Sequence, residues 1–234
     1  MDDTIFDHSL TCRAALARLR LDVPALRGPS LDTMCREYNR LLGAMHTDVM
    51  LGRRSSEEVR AERLQRLAVW AGHSIDARQA AELSLVYREH YQSLRRPVRG
   101  APEMIRRLHG RARIAVVTNN TVAEQTEKLA FLGLEPAVDF LVTSEEIGVA
   151  KPDPSIFRAA LERARVRPEE AVMVGDSWAS DVVGARRAGI RAVWFNRFRE
   201  PRPDGPTVPE FASFRPPARV ERMLADPAES RLAA

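Results

Sequence analysis

The chain has 234 residues, of which 44% are hydrophobic and 29% charged, and its formal net charge is +4. This length holds one large domain, or a core domain with a smaller inserted one. We find no apolar run near the ~18 residues of a membrane helix and no signal-peptide leader, so we expect a cytoplasmic protein with no membrane partner. The arginines are scattered in pairs such as Arg53-Arg54 rather than forming a basic stripe, which argues against a nucleic-acid partner.

Residues 9–97 are predicted to form a helical module. This region contains four helix-like segments and almost no strand signal. One helix begins at the capping-box sequence Ser55-Ser56-Glu57-Glu58 and runs toward Trp70. Pro97 and the sequence Gly100-Ala101-Pro102 then interrupt the chain, which indicates a hinge after the module.

Residues 102–196 alternate between helix and strand patterns. Buried strands are expected at 114–117, 140–143, 171–174 and 192–195, and helices at 102–109, 121–132, 154–165 and 179–188. This alternation is typical of βαβ units with a parallel sheet. The tail is rich in proline up to Pro217 and is predicted to end in a short helix at 219–224.

Polar residues follow each predicted strand, where open parallel sheets bind their ligands. Thr118-Asn119-Asn120 follows the first of these strands, Lys151-Pro152-Asp153-Pro154 lies after the second, and Gly175-Asp176-Ser177 follows the third, with Asp181 five residues beyond Asp176. Asp2-Asp3-Thr4 precedes them all. Each segment alone is typical of a helix cap, a turn or an acidic terminus. Their order, each at the end of a strand, favours one shared site.

This set of side chains suits the hydrolysis of a phosphate ester. Such a reaction uses a carboxylate nucleophile, together with an acid and base that protonate the leaving oxygen and activate water. Magnesium, held by oxygen ligands, and a lysine neutralise the phosphate charge, while Thr and Asn donors orient its oxygens.

The four segments resemble the motifs of the haloacid dehalogenase (HAD) superfamily. The resemblance implies an α/β fold with a Rossmann-like parallel-sheet core, residues 1–8 and 98–234, and an inserted all-α C1 cap domain, residues 9–97. It implies that Asp2 is the general acid/base and that Mg²⁺ is held by the Asp2 backbone carbonyl, Asp176 and Asp181. Lys151 would be catalytic and would bind the substrate phosphate, together with Thr118 and Asn119.

The chain departs from the first family motif, Asp-x-Asp-x-Thr, whose nucleophile would lie one residue before Met1. The apolar strand leading to that aspartate, which lies in the middle of the family's sheet, is also absent. We hypothesise that the start was assigned at an internal methionine, and that upstream codons encode an apolar run ending in aspartate. As written, the chain is expected to be inactive and poorly folded, since several buried side chains at ~1.5–3 kcal/mol each are missing from its core.

Several phrases, including Phe6-Asp7-His8 and Gly175-Asp176-Ser177-Trp178, look most like those of pyrimidine 5′-nucleotidases. The leading expectation is a Mg²⁺-dependent phosphatase acting on a nucleotide or another small phosphorylated metabolite. Two alternatives remain open: a 2-haloacid dehalogenase, and a non-catalytic binding protein that lost its nucleophile. The sequence indicates neither the particular substrate nor the oligomeric state.

Overall fold

The computed structural model describes residues 1–205 and 207–225, and the chain divides into two compact units. One unit comprises residues 1–6 and the chain from Pro97 onward, and the other comprises Asp7–Arg96. The expected boundaries were 1–8 with 98–234, and 9–97. The assignment of these segments as core and cap stays a prediction, and residues 206 and 226–234 of the expected core lie outside the described residues.

The unit Asp7–Arg96 contains four α-helices. They are α1 (His8–Asp22), α2 (Leu31–Met50), α3 (Ser56–Trp70) and α4 (Ala77–Ser93), with a short 3-10 turn at Pro24–Leu26. The capping box at α3 is present, because Ser55 accepts from the Glu58 N–H and Glu58 accepts from the Ser55 N–H. Apolar side chains such as Leu16, Leu64 and Leu67 are fully buried between the helices.

Over its described residues, the other unit contains two parallel sheets. One pairs β1 (Ala115–Thr118) with β2 (Phe140–Thr143), and the other has the order β3 (Val172–Gly175), β4 (Arg191–Phe195) and β5 (Glu210–Phe211). The predicted α/β class with a parallel sheet is confirmed, and β1–β4 lie within one residue of their expected positions. β5 was not predicted. It pairs with β4 inside the proline-rich tail, where no strand was expected.

Six α-helices accompany these sheets in the part of the unit that the structure describes. They are α5 (Ala101–Leu108), α6 (Val122–Leu132), α7 (Ser144–Ile147), α8 (Pro154–Ala164), α9 (Val183–Arg187) and α10 (Pro217–Ala225). The helix expected at 179–188 is not continuous, since a wider π-helical turn, Trp178–Val182, precedes α9. In this turn the Ser177 carbonyl accepts from the N–H groups of both Asp181 and Val182. Such turns are frequent at functional sites.

A cavity of 370 Å³ separates the two sheets. Three consecutive residues of β1 (Ala115–Val117) and three of β3 (Val172–Val174) line it, together with Met1. Within the described residues, β1 pairs only with β2 and β3 only with β4, so each has an edge here that no strand occupies. Packed interiors contain few voids larger than a water molecule, which makes this apolar gap unusual.

None of the helices in the described ranges combines the length and the apolar character that crossing a membrane requires.

Candidate active site

The side chains singled out at the strand ends converge around the amino group of Met1. This group is buried, and the charges of Lys151, Asp181, Asp2 and Asp176 all act on it. Burial and the neighbouring Lys151 ammonium lower the pKa of the amino group. Four of the six predicted site residues therefore lie close to this one amino group.

The segment Met1–Phe6 forms a tight turn that directs Asp2 and Thr4 toward this point. The Met1 carbonyl accepts from the N–H groups of Ile5 (2.9 Å) and Phe6 (3.1 Å), and Asp3 has a positive φ of 54°. Aspartate tolerates this left-handed conformation better than most residues. The Val98 N–H donates to the Ile5 carbonyl at 2.8 Å and ties the end of the turn to the chain after residue 97.

Lys151 and Asp181 form a buried ion pair. The Lys151 Nζ lies 2.6 Å from Asp181 Oδ1 and donates to the Val117 carbonyl at 2.8 Å. Their side chains are 7% and 6% exposed. The other oxygen of Asp181 accepts from the Ser177 N–H at 3.1 Å. Lysine and carboxylate are thus fixed in one geometry, with the lysine acting as a point charge beside the end of β1.

Asp176 lies at the end of β3 and accepts a hydrogen bond from Thr4 Oγ1 at 2.7 Å. Burial, together with the nearby charge of Asp181, raises the pKa of Asp176 to about 6. The Thr4 hydrogen bond and the Met1 amino group act in the opposite direction without cancelling this effect. Two carboxylates sharing a buried site in this way favour a bound cation.

Gly175 makes room for the Asp181 carboxyl group. A Cβ atom built on Gly175 would lie 2.1 Å from Asp181 Oδ2, which no real contact allows. In the sequence, Gly175 only begins the Gly175-Asp176-Ser177 segment that follows the third predicted strand. The structure shows that the absence of a side chain lets the acidic loop fold back on its own strand.

Thr118 and Asn119 follow β1, as predicted. Thr118 is buried. The Asn119 side chain donates to the Lys151 carbonyl at 2.9 Å and accepts from the Lys151 N–H at 2.7 Å. Asn119 therefore positions the backbone of Lys151, whereas phosphate binding by Thr118 and Asn119 stays a prediction.

Lys128 also belongs to this site, although no role was predicted for it from the sequence. Its Nζ lies 2.7 Å from Asp2 Oδ1, while the amides of Gln125 (3.2 Å) and Asn120 (3.3 Å) donate to Asp2 Oδ2. One signal pointed to it, since the chain contains only two lysines, Lys128 and Lys151. Both lysines are buried against an aspartate.

The donor set fits magnesium. Among the residues that the structure describes, no cluster of three or more His, Cys, Asp or Glu side chains is arranged to hold a metal ion. Mg²⁺ typically keeps several waters and uses one or two carboxylates plus substrate phosphate oxygens, so two side chains suffice. Burial is the main cause that raises the pKa of Asp176 to about 6, and a bound cation would offset the charge that this carboxylate carries when ionised. Asp176, Asp181 and the Asp2 carbonyl would supply the protein ligands.

The carboxyl ends of these parallel strands carry paired aspartates, a buried lysine and a threonine hydroxyl, at the edge where open α/β sheets bind their ligands. A sequence model of the haloacid dehalogenase-like hydrolases matches residues 1–189. The chain belongs to this family of hydrolases, which confirms the resemblance drawn from its motifs.

Curated relatives are similar over part of the chain. The chain is 40% identical over 111 residues to pyrimidine 5′-nucleotidase YjjG of Escherichia coli, covering 47% of this chain and 49% of that protein. It is 48% identical over 88 residues to a phosphoserine phosphatase of Thermus thermophilus, covering 38% of this chain and 35% of that protein. A glyceraldehyde 3-phosphate phosphatase of Methanopyrus kandleri is 44% identical over 108 residues, covering 44% of this chain and 46% of that protein. The chain thus spans half or less of the length of these relatives.

Solved structures match over nearly the whole chain. The HAD-hydrolase YfnB of Bacillus subtilis bound to magnesium has a TM-score of 0.75 at 25% identity, covering 94% of this chain and 95% of that one. A 2-haloacid dehalogenase of Pseudomonas syringae has a TM-score of 0.65 at 26% identity, covering 96% and 95%. The fold is therefore shared with a magnesium-bound HAD-hydrolase and with a 2-haloacid dehalogenase.

Proposed function

We propose that the protein is a magnesium-dependent phosphatase that hydrolyses a phosphomonoester of a nucleotide or another small metabolite. The observation that carries this proposal is the convergence of Lys151, Asp176 and Asp181 beside Asp2. Two acids that share a buried position suit a divalent cation, and a fixed ammonium beside them suits a phosphoryl oxygen. The curated relatives named as a nucleotidase and as phosphatases support the same class.

In this proposal Asp2 carries the proton transfers. A carboxylate oxygen of the aspartate expected just before Met1 attacks phosphorus. The ester P–O bond breaks, and Asp2 gives its proton to the leaving oxygen. Asp2 then takes a proton from the water that attacks the phosphorylated carboxylate, and inorganic phosphate leaves. Lys151 and Thr118 hold the phosphoryl oxygens. Magnesium, when bound, supplies positive charge that offsets the repulsion between phosphate and carboxylates.

We also propose that an extended apolar strand, joined to Met1 and ending in the attacking aspartate, fills the cavity between β1 and β3. Both strand edges that face the cavity are open within the described residues, and valines line both sides. Met1 lies in the cavity wall, with its amino group beside Lys151 and Asp181. A strand in this place would join the two sheets and put its last carboxylate within reach of the site.

The experiment compares the chain starting at Met1 with a chain that also carries the residues encoded upstream. Phosphate release is measured over 5′-nucleotides, phosphoserine and sugar phosphates, with Mg²⁺ and with EDTA. We expect turnover by the extended chain that EDTA abolishes, and a higher melting temperature than that of the shorter chain. An extension whose central apolar residues are changed to Asp is the matched control and should restore neither property.

The similarity to a 2-haloacid dehalogenase structure supports dehalogenation as a second candidate function. A 2-haloacid dehalogenase uses the same carboxylate on carbon and does not depend on magnesium to offset a phosphate charge. Halide release from 2-chloropropionate that persists in EDTA, with no phosphate release from any ester, would overturn the phosphatase proposal.

A further inference from the structure

The Asp2 carboxylate is held by three donors from α6 and the loop that leads into it. Lys128 Nζ contacts Oδ1 at 2.7 Å, and the Gln125 and Asn120 amides contact Oδ2 at 3.2 and 3.3 Å. Residues 125 and 128 are three positions apart on α6, so they lie on one face of the helix. Asn120 is itself oriented, because its Oδ1 accepts from the Thr121 N–H at 2.8 Å.

These donors reach Asp2 from the interior of the unit. The Lys128 side chain is 4% exposed, whereas that of Asp2 is 27% exposed. The Phe6 ring covers the ammonium, with its centroid 5.1 Å from Nζ. The carboxylate is thus anchored from behind while part of it remains accessible, as proton exchange with a bound substrate or water requires.

Gln125 provides an independent sign that this arrangement serves Asp2. The residue is completely buried, and within the described residues its Oε1 atom has no hydrogen-bond partner. A buried unsatisfied oxygen lowers stability, so an apolar residue of similar shape would serve packing better. A glutamine is explained here by the hydrogen bond that its Nε2 group donates to Asp2.

We propose that Lys128 and Gln125 are positioning residues that act through Asp2, fixing its carboxylate for the proton transfers. This inference rests on the proposed function, since it concerns the same site. All three groups donate to the Asp2 carboxylate, so together they fix its orientation in the site.

The test uses the extended chain with Mg²⁺ and a phosphate ester that it hydrolyses. We expect Lys128→Met to lower kcat at least tenfold while KM changes less than twofold, and Lys128→Arg to recover part of the loss. We expect Gln125→Met to lower kcat three- to tenfold without lowering the melting temperature. Arg163→Met, which breaks an exposed ion pair with Glu146, is the matched control and should leave both kinetic constants unchanged.

Since Lys128→Met can destabilise the fold, Gln125→Met decides between positioning and packing. A Gln125→Met variant with unchanged kcat, or a Lys128→Met loss that Arg does not recover at all, would overturn the inference. Melting temperatures test the contact between Lys128 and Asp2 independently of turnover. The double variant Asp2→Asn with Lys128→Met should melt no lower than the less stable of the two single variants. If that contact is confirmed but the unaltered chain hydrolyses no ester, the proposed function is wrong and the catalytic part of this inference falls with it.

Discussion

The ammonium of Lys151 and the carboxylate of Asp181 lie 2.6 Å apart with both side chains almost completely buried. Removing one partner of such a pair leaves an uncompensated charge in a poorly hydrated place, which typically costs about 3–5 kcal/mol. The same pair therefore links the stability of this unit to the chemistry proposed for it.

Lys151→Met should lower the free energy of unfolding by about 3–5 kcal/mol, because Asp181 then loses its counter-charge beside Asp176. Urea denaturation in EDTA measures the loss. Lys151→Met combined with Asp181→Asn should lose clearly less than the sum of the two single changes. Additive losses would show that the two side chains do not interact in solution.

Asp176→Asn should stabilise the metal-free chain above pH 6 by about 1–3 kcal/mol. The pKa of Asp176 is about 6 in the folded chain, whereas its ordinary pKa of 3.8 applies in the unfolded chain. The free energy of unfolding of the unaltered chain therefore falls as pH rises from about 4 to about 6, and the variant lacks this fall. Denaturation curves at pH 4, 5, 6 and 7 measure the difference, and equal pH dependence in both chains would contradict it.

Mg²⁺ should raise the melting temperature of the unaltered chain at pH 7.5 and leave that of Asp176→Asn almost unchanged. A ligand that binds the folded chain stabilises it by mass action, and Asp176 is one of the two expected side-chain ligands. Thermal melts with 0 to 20 mM MgCl₂, at constant ionic strength set with NaCl, provide the measurement. An equal rise in both chains would place the cation elsewhere.

Gly175→Ala should destabilise the chain and displace Asp181, because the new Cβ would meet the Asp181 carboxyl group at 2.1 Å. We expect a loss of about 2 kcal/mol or more, in the range of severe steric substitutions. Gly43→Ala is the matched control. Gly43 lies inside α2, and apart from its chain neighbours and the backbone of its own helix no atom lies within 4 Å of a built Cβ, so alanine there should stabilise by about 0.5–1 kcal/mol.

Asn119→Ala should lower stability by about 1–2 kcal/mol and reduce turnover of the extended chain, because both hydrogen bonds to the Lys151 backbone are lost. Denaturation and steady-state kinetics measure the two effects. The exposed Asn39 in α2 gives the comparison, since Asn39→Ala should change stability by less than about 0.5 kcal/mol. Unchanged turnover in Asn119→Ala would limit this residue to a structural role.

Most elements followed from local sequence. The Ser55–Glu58 capping box marked the start of α3, and the apolar run ending at Val117 marked β1 to within one residue. The six site residues were predicted for a related reason: in a parallel sheet every strand delivers its carboxyl end to the same edge. This rule needs only the order of strands and loops, which the sequence displays.

Other features depend on residues that meet only in the folded chain. Lys128 is 126 positions from Asp2, and the helical pattern of α6 does not show which partner covers that face. β5 exists because Glu210 and Phe211 pair with β4, although their own sequence carries a weak strand signal. By itself the sequence determined the helix and strand pattern and the acidic and lysine chemistry at the strand ends. Only the tertiary structure decided which donors hold Asp2 and that a cavity separates β1 from β3, because both depend on contacts between residues far apart in the sequence.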